Sequence, residues 1–340
     1  MPGSPSHIPS SMSPDAVPAA IKSAENALAK NDNAAALEWM RVASETQGLP
    51  TEQREHVQVL LEQAAGKRID ELSTPESDPE DLADLVEIGL PRQLAVTAGV
   101  RAARRLVETG ELVDAYKLLK RLDTKFPLHQ ERQQAGDMMC EIGLVLIKDG
   151  PGFLGFFTTR DDGQEVLEYV ILNAPWAKRC DDAYVALADL YAEDHEWTLA
   201  IDRCEKLVLN HPASPHRVAA QARVPKLRLR SIKSPEFDRT AILKAEIEFK
   251  EWLQMYAGNA LEPEVRLQLA DCQRRLSDND MIVSHFYERV GNPFGARYHA
   301  TRAIEEARIS GDEERAVAAQ KWLDGLPASV DPKASVQATP

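Results

Sequence analysis

Two stretches with the same internal spacing constrain this chain more than anything else in it. Between Asp181 and Pro212, Tyr184, Leu187, Ala188 and Tyr191 recur at separations of three and four, as one apolar stripe of a helix must. Ala200, Cys204 and Leu207 repeat the spacing after a polar break, so the stretch reads as two antiparallel helices that Pro212 closes. Ala188 and Ala200 leave no bulk where the helices cross and permit a close backbone approach. Upstream, Ala115, Leu119, Leu122 and Pro127 stand at the same mutual spacing as Ala200, Cys204, Leu207 and Pro212. The helix before them, from about Leu94 to Thr109, supplies Gly99, Ala102, Ala103 and Leu106. It lacks the aromatics, and Gly99 in its interior weakens the helix.

Large, small and aromatic positions in that order over about thirty-four residues form the tetratricopeptide pattern. β-Branched runs are short, and no Asn-Gly or Asp-Gly turn lies between alternating apolar segments, so strands are not expected. The predicted fold is all-α, a tetratricopeptide-like solenoid of helical hairpins. With 340 residues and 44% hydrophobic content, stacked hairpins account for the length as one elongated body. Cys140, Cys180, Cys204 and Cys272 are far apart and form no CxxC pair, which removes a zinc ribbon or redox motif.

Residues 1–14, rich in Pro and Ser, are expected to be a disordered tail. Residues 15–72 form an N-terminal hairpin region: helices from about Pro18 to Lys30, Ala34 to Thr46 and Thr51 to Leu72, the last capped by Thr51. Residues 73–81, with two prolines and four acids, read as a linker, and 82–326 as the solenoid. Within it, a helix from Glu131 to Lys148 would turn Met138, Met139, Ile142, Val145 and Leu146 inward. Residues 149–163 break the repeat with four glycines and three phenylalanines. Phe153, Phe156 and Phe157 either plug a groove between hairpins or form a partner-binding patch. Residues 164–173 complete that unit. After residues 237–256, Pro263–Leu276 and Asp278–Val290 are predicted as a further hairpin, followed by Pro293–Ser310 and a capping helix from Asp312 to Leu326; 327–340 is a second tail.

Residues 217–233 hold six basic side chains and no acid, in a chain whose net charge is −14. On a helix Arg223, Lys226, Arg230 and Lys233 share a face, which Pro225 would kink. This stripe is either a solvated face paired with acidic neighbours or a docking site for an acidic protein surface. The overall charge argues against general nucleic-acid binding, which needs a basic surface. No HExxH, HxH, GxSxG or Gly-Lys-Ser/Thr motif occurs, so no catalytic, cofactor or metal site is indicated. His195, His211 and His216 fit loop and cap positions. The first twenty residues lack a basic start followed by an apolar run, which predicts a chain that is not exported.

In the last third, the run from Ala245 through Phe249, Trp252 and Tyr256, then Leu267–Arg275, then Ser284-His-Phe286-Tyr287-Glu-Arg289-Val-Gly291 with Gly295-Ala296-Arg297-Tyr298, resembles the outer-membrane assembly lipoprotein family of the BamD/YfiO type. The likeness extends more weakly back to 183, covering 183–310. Ala257 stands where that family usually has proline, Pro293 where an aromatic is common, and Gly295 where the first of two alanines is expected. The resemblance implies a scaffold for outer-membrane β-barrel assembly, bound to a barrel-assembly partner on the periplasmic face; that family's members carry an export signal and a lipid-bearing cysteine near the start, neither of which is read in this sequence. An upstream leader would reconcile it with the start; a cytosolic tetratricopeptide adaptor for a peptide or protein partner is the alternative. Phe286, Tyr287 and Arg289 lie on the best-matched stretch. They would form a positive patch if Arg289 and the basic stripe faced one way, whereas the two aromatics would otherwise be hairpin core.

Overall fold

A computed structural model describes residues 8–148, 159–232 and 239–328. Its described residues contain fifteen α-helices and no strand. They are α1 (Val17–Ala29), α2 (Asn33–Ser44), α3 (Thr51–Leu72), α4 (Pro79–Asp84), α5 (Arg92–Thr109), α6 (Leu112–Lys125), α7 (Arg132–Leu146), α8 (Thr159–Asn173), α9 (Cys180–Glu193), α10 (Trp197–Asn210), α11 (Arg217–Ser231), α12 (Arg239–Met255), α13 (Glu262–Arg289), α14 (Pro293–Ile309) and α15 (Glu313–Gly325). The segment carrying Phe153, Phe156 and Phe157 lies outside the described residues, as does Lys233.

Two compact units, Met1–Cys180 and Asp181–Pro340, divide the chain. In the first, successive helices pack on one another, and α1 also touches α3, α3 touches α5, and α5 touches α7. In the second, α10 to α15 pack in the same successive way and α11 touches α13. Contacts to the next helix and the next but one are those of stacked hairpins. The fold is therefore all-α and tetratricopeptide-like.

The hairpin of α9 and α10 is antiparallel. Tyr184, early in α9, receives a hydrogen bond from Asn210 at the end of α10 (3.4 Å), and Tyr191, late in α9, lies under the Arg203 guanidinium. His195 makes the reversal with a φ of 61°. Ala188 and Ala200 are both buried. Ala200→Leu is expected to overpack this hairpin and to cost about 1–3 kcal/mol. Thermal unfolding measures it, and a variant melting with the wild type would contradict close approach at this position.

In the upstream hairpin Ala115, Leu119 and Leu122 are fully buried. Gly99 proves to be a packing requirement: a Cβ there would stand 2.6 Å from Cδ1 of Leu122. What weakens the isolated helix lets α6 lie close on α5.

Several local details differ from the sequence reading. Thr51 is the first helical residue of α3 and makes no side-chain cap; Pro50 precedes it. Residues 79–81 of the expected linker are helical as the start of α4, with the Asp78 side chain accepting from Glu80 N at 2.9 Å, and Leu82 of the same helix is buried. Met139, Ile142 and Leu146 of α7 are buried as expected, whereas Val145 is exposed and Met138 only partly covered; the small residues Ala135, Gly136, Cys140 and Gly143 complete the inward face. α8 begins at Thr159, so Gly163 is helical. Pro225 sits inside α11, buried, without ending it.

The largest departure is α13. The predicted break at Ser277 is absent, and one helix of 28 residues runs through it. Ser, Asp and Asn are poor helix-interior residues because their side chains compete for the backbone. Here tertiary partners engage those side chains. Ser277 Oγ donates to Ala303 O at 2.8 Å and Ser284 Oγ to Ala296 O at 2.7 Å. Asn279 Oδ1 accepts from Arg239 at 2.9 Å. Asp280, 0% exposed, accepts from Arg239 at 2.9 Å, pairs with His299 Nδ1 at 2.7 Å and lies 3.7 Å from Arg302.

Candidate functional site

The basic stripe lines a groove of about 330 Å³ in the second unit. One wall is α11, which presents Ala219, Ala222, Arg223, Lys226, Leu227 and Arg230. Their separations of three and four put them on one helical face. The facing wall is the start of α13, with Leu261, Glu264, Val265 and Gln268, and Phe249 of α12 lies behind them. The groove thus has small apolar residues at one end of α11 and cations toward the other.

α11 is held in this orientation from below. Fully buried Trp252 donates from Nε1 to Val218 O at 3.0 Å, and Tyr256 donates to Gln221 at 2.9 Å. Arg228, on another face, pairs with Glu248 at 3.0 Å. Arg275 Nη1 donates to Leu229 O at 2.8 Å, tying α13 to the same helix.

The three cations of the stripe differ in what satisfies them. Arg223 is paired with Asp189 and also donates to Ala188 O at 3.3 Å. Lys226 reaches across the groove to Glu264 at 2.8 Å. Arg230 is exposed and has no ion-pair partner among the described residues. Two members of the stripe therefore sit beside acidic neighbours and one is available.

Phe286, Tyr287 and Arg289 lie elsewhere. They close the far end of α13, and Arg289 is about 37 Å along that helix from Glu264 at 1.5 Å per residue. Because α13 is one continuous helix rather than a hairpin, it separates Arg289 from the stripe instead of folding it back. Phe286 is 50% exposed, so it is not hairpin core, and its ring meets Tyr287 edge-on at 5.6 Å. Tyr287 is partly buried, stacked on His299 at 5.6 Å and lying over Gly295, where a Cβ would be 2.7 Å from the ring. That contact explains glycine at a position where the resemblance leads one to expect alanine. Arg289 is exposed.

Other reactive groups are engaged in packing. Burial pushes the thiol of Cys204 up to about 11 and that of Cys272 to about 12, so neither is a thiolate at neutral pH. His216 pairs with Asp182 at 2.7 Å, and His211 caps α10. Among the described residues no three His, Cys, Asp or Glu side chains converge to hold a metal ion, and no helix is long and apolar enough to cross a membrane.

Pairing of the stripe with acidic neighbours was one of the two sequence alternatives, but which acids face it could not be read. Glu264 is one carboxylate among 54 acidic residues, and nothing in its neighbours marks it as facing Lys226, 38 positions away. Asp280 carried the opposite signal, a polar cluster that reads as a turn.

No protein-family model and no curated protein matches the chain. Among solved structures it is similar to the tetratricopeptide domain of P58(IPK), at 15% identity over 91% of this chain and 80% of that one, with a TM-score of 0.24. It is also similar to a circular tandem repeat protein with a novel repeat topology, at 16% identity over 91% and 75% of the two chains, with a TM-score of 0.16. Neither likeness carries a function.

Proposed function

We propose that the chain is a non-catalytic scaffold that binds other proteins, and that its setting is the assembly of β-barrel proteins into an outer membrane, on the periplasmic side. The groove between α11 and α13 carries the first part. On a chain of net charge −14 it gathers Arg223, Lys226 and Arg230 on one wall, beside apolar surface. Asp189 and Glu264 offset Arg223 and Lys226, so the charge left uncompensated among the described residues is that of Arg230, and it favours approach of an acidic partner. The second part is supported by the resemblance across residues 183–310.

Charge reversal tests both parts. Arg223→Glu with Arg230→Glu is expected to deplete the proteins captured from cell envelope. The wild-type capture should weaken between low and high salt, because exposed charges are screened within about 8–10 Å at moderate ionic strength. A partner list and salt dependence unchanged by the double variant would remove the groove from consideration. Capture of cytosolic proteins alone, with no barrel-assembly component, would remove the outer-membrane setting and leave the scaffold.

A further inference from the structure

The groove is bridged by its own ion pair. Lys226 stands on α11 and Glu264 on α13, so their 2.8 Å contact spans from one wall to the other. Glu264 remains half exposed in that pair, with 54% of its side chain accessible, and Lys226 is 32% accessible. Four residues further along α11, one helical turn away, Arg230 lines the same groove and makes no ion pair among the described residues. The arrangement is that of a carboxylate-binding surface in which one of two cations is already occupied by a carboxylate of the chain. On the same wall Ala219, Ala222 and Leu227 offer apolar contact between and beside the charges.

Resting on the scaffold reading above, we infer that the groove takes an extended acidic segment of a partner protein, with Glu264 as its internal competitor for Lys226. The wall from Ala219 to Arg230 is about 16 Å long at 1.5 Å per residue, which an extended segment of about five residues would follow. Such a segment places alternate side chains on one side. A carboxylate at Arg230 and an apolar side chain over Ala222 and Leu227 can then be met together. A second carboxylate reaches Lys226 only by displacing Glu264, so the internal pair weakens binding by the amount it holds Lys226.

This reasoning gives two substitutions with opposite signs. The probe is a fluorescein-labelled peptide alternating aspartate and leucine, followed by anisotropy with the full chain. Arg230→Glu is expected to weaken binding by up to about fivefold, the upper end of the range for one exposed ion pair. Glu264→Gln is expected to strengthen it about threefold, since it frees Lys226 without removing bulk. The matching peptide with asparagine for aspartate, and that with serine for leucine, should both bind more weakly. Thermal melts of both variants confirm that the fold is kept; a purely structural Glu264 would lower the melting temperature with no gain in affinity.

Unchanged or reduced affinity in Glu264→Gln overturns the competitor role. Indifference to Arg230→Glu overturns the site. A short oligonucleotide binding as well as the peptide, with the same dependence on Arg230, would assign the groove to phosphate and overturn the acidic segment. If envelope proteins are captured in a groove-dependent way while the peptide fails to bind, this inference falls and the scaffold stands; if nothing is captured, the scaffold falls as well.

Discussion

Asp280→Ala is expected to lower the stability of the second unit by about 3–5 kcal/mol, the cost of leaving buried charges without their counter-ion. Asp280 is wholly inaccessible and is shared by Arg239 of α12 and by His299 and Arg302 of α14. Removing it leaves two guanidinium groups that cannot deprotonate, facing one another across the space it occupied. Arg239 would keep the neutral Asn279 Oδ1 as an acceptor, which does not replace the lost charge, and its Nη2 is already buried without a hydrogen-bond partner among the described residues. Asp280→Asn keeps the size and part of the hydrogen bonding but not the charge, and should cost less. For a unit of this size the alanine variant corresponds to a fall in melting temperature of roughly 10 °C. Equal melting of the alanine variant and the wild type would mean that the cluster does not hold α12, α13 and α14 together.

Trp252→Ala should cost a similar amount, about 3–5 kcal/mol, by a different route. The indole is fully buried, packs against Tyr256 at 5.3 Å between centroids, and donates to Val218 O at 3.0 Å. Its removal leaves a cavity under α11, the helix that forms the basic wall of the groove. Because α12 then holds α11 less firmly, groove binding should fall together with stability. Asp280→Ala acts on the far side of α13 and should leave binding intact at temperatures where the variant is folded. Trp252→Phe retains most of the volume and loses the hydrogen bond, for which about 1 kcal/mol is expected. Denaturant unfolding gives the stabilities, and peptide anisotropy on the same samples gives the binding; a Trp252→Ala variant that binds like the wild type would uncouple the core from the groove.

The candidate site was legible in part. Spacing alone aligned Arg223, Lys226 and Arg230, because the geometry of a single helix determines which residues share a face. It could not say what lay opposite, and so could not distinguish a paired cation from a free one. Phe286 illustrates the same limit. A Phe-Tyr pair at a helix end is apolar enough for core, yet Tyr287 turns onto His299 and Gly295 while Phe286 is left half exposed. Two adjacent residues on a helix point about 100° apart, and only the position of α14 decides which of them is covered.

By itself the sequence determined the helices and most of their hairpin pairing, since an apolar stripe at separations of three and four has one stable use in water, and small residues such as Ala188 and Ala200 mark where stripes meet. It did so best where residue preference and packing agree, as in α3, whose limits of Thr51 and Leu72 match the sequence reading. Only the tertiary structure decided the course of α13. Ser277, Asn279 and Asp280 favour a break when considered alone, and they remain helical because Ala303 O, Arg239, His299 and Arg302, lying between 19 and 41 positions away, engage their side chains. Partners at that separation are invisible to any local pattern. The same long-range engagement placed Glu264 against Lys226, left Arg230 without an ion-pair partner among the described residues, and set Arg289 at the other end of a helix that local preference would have folded in two.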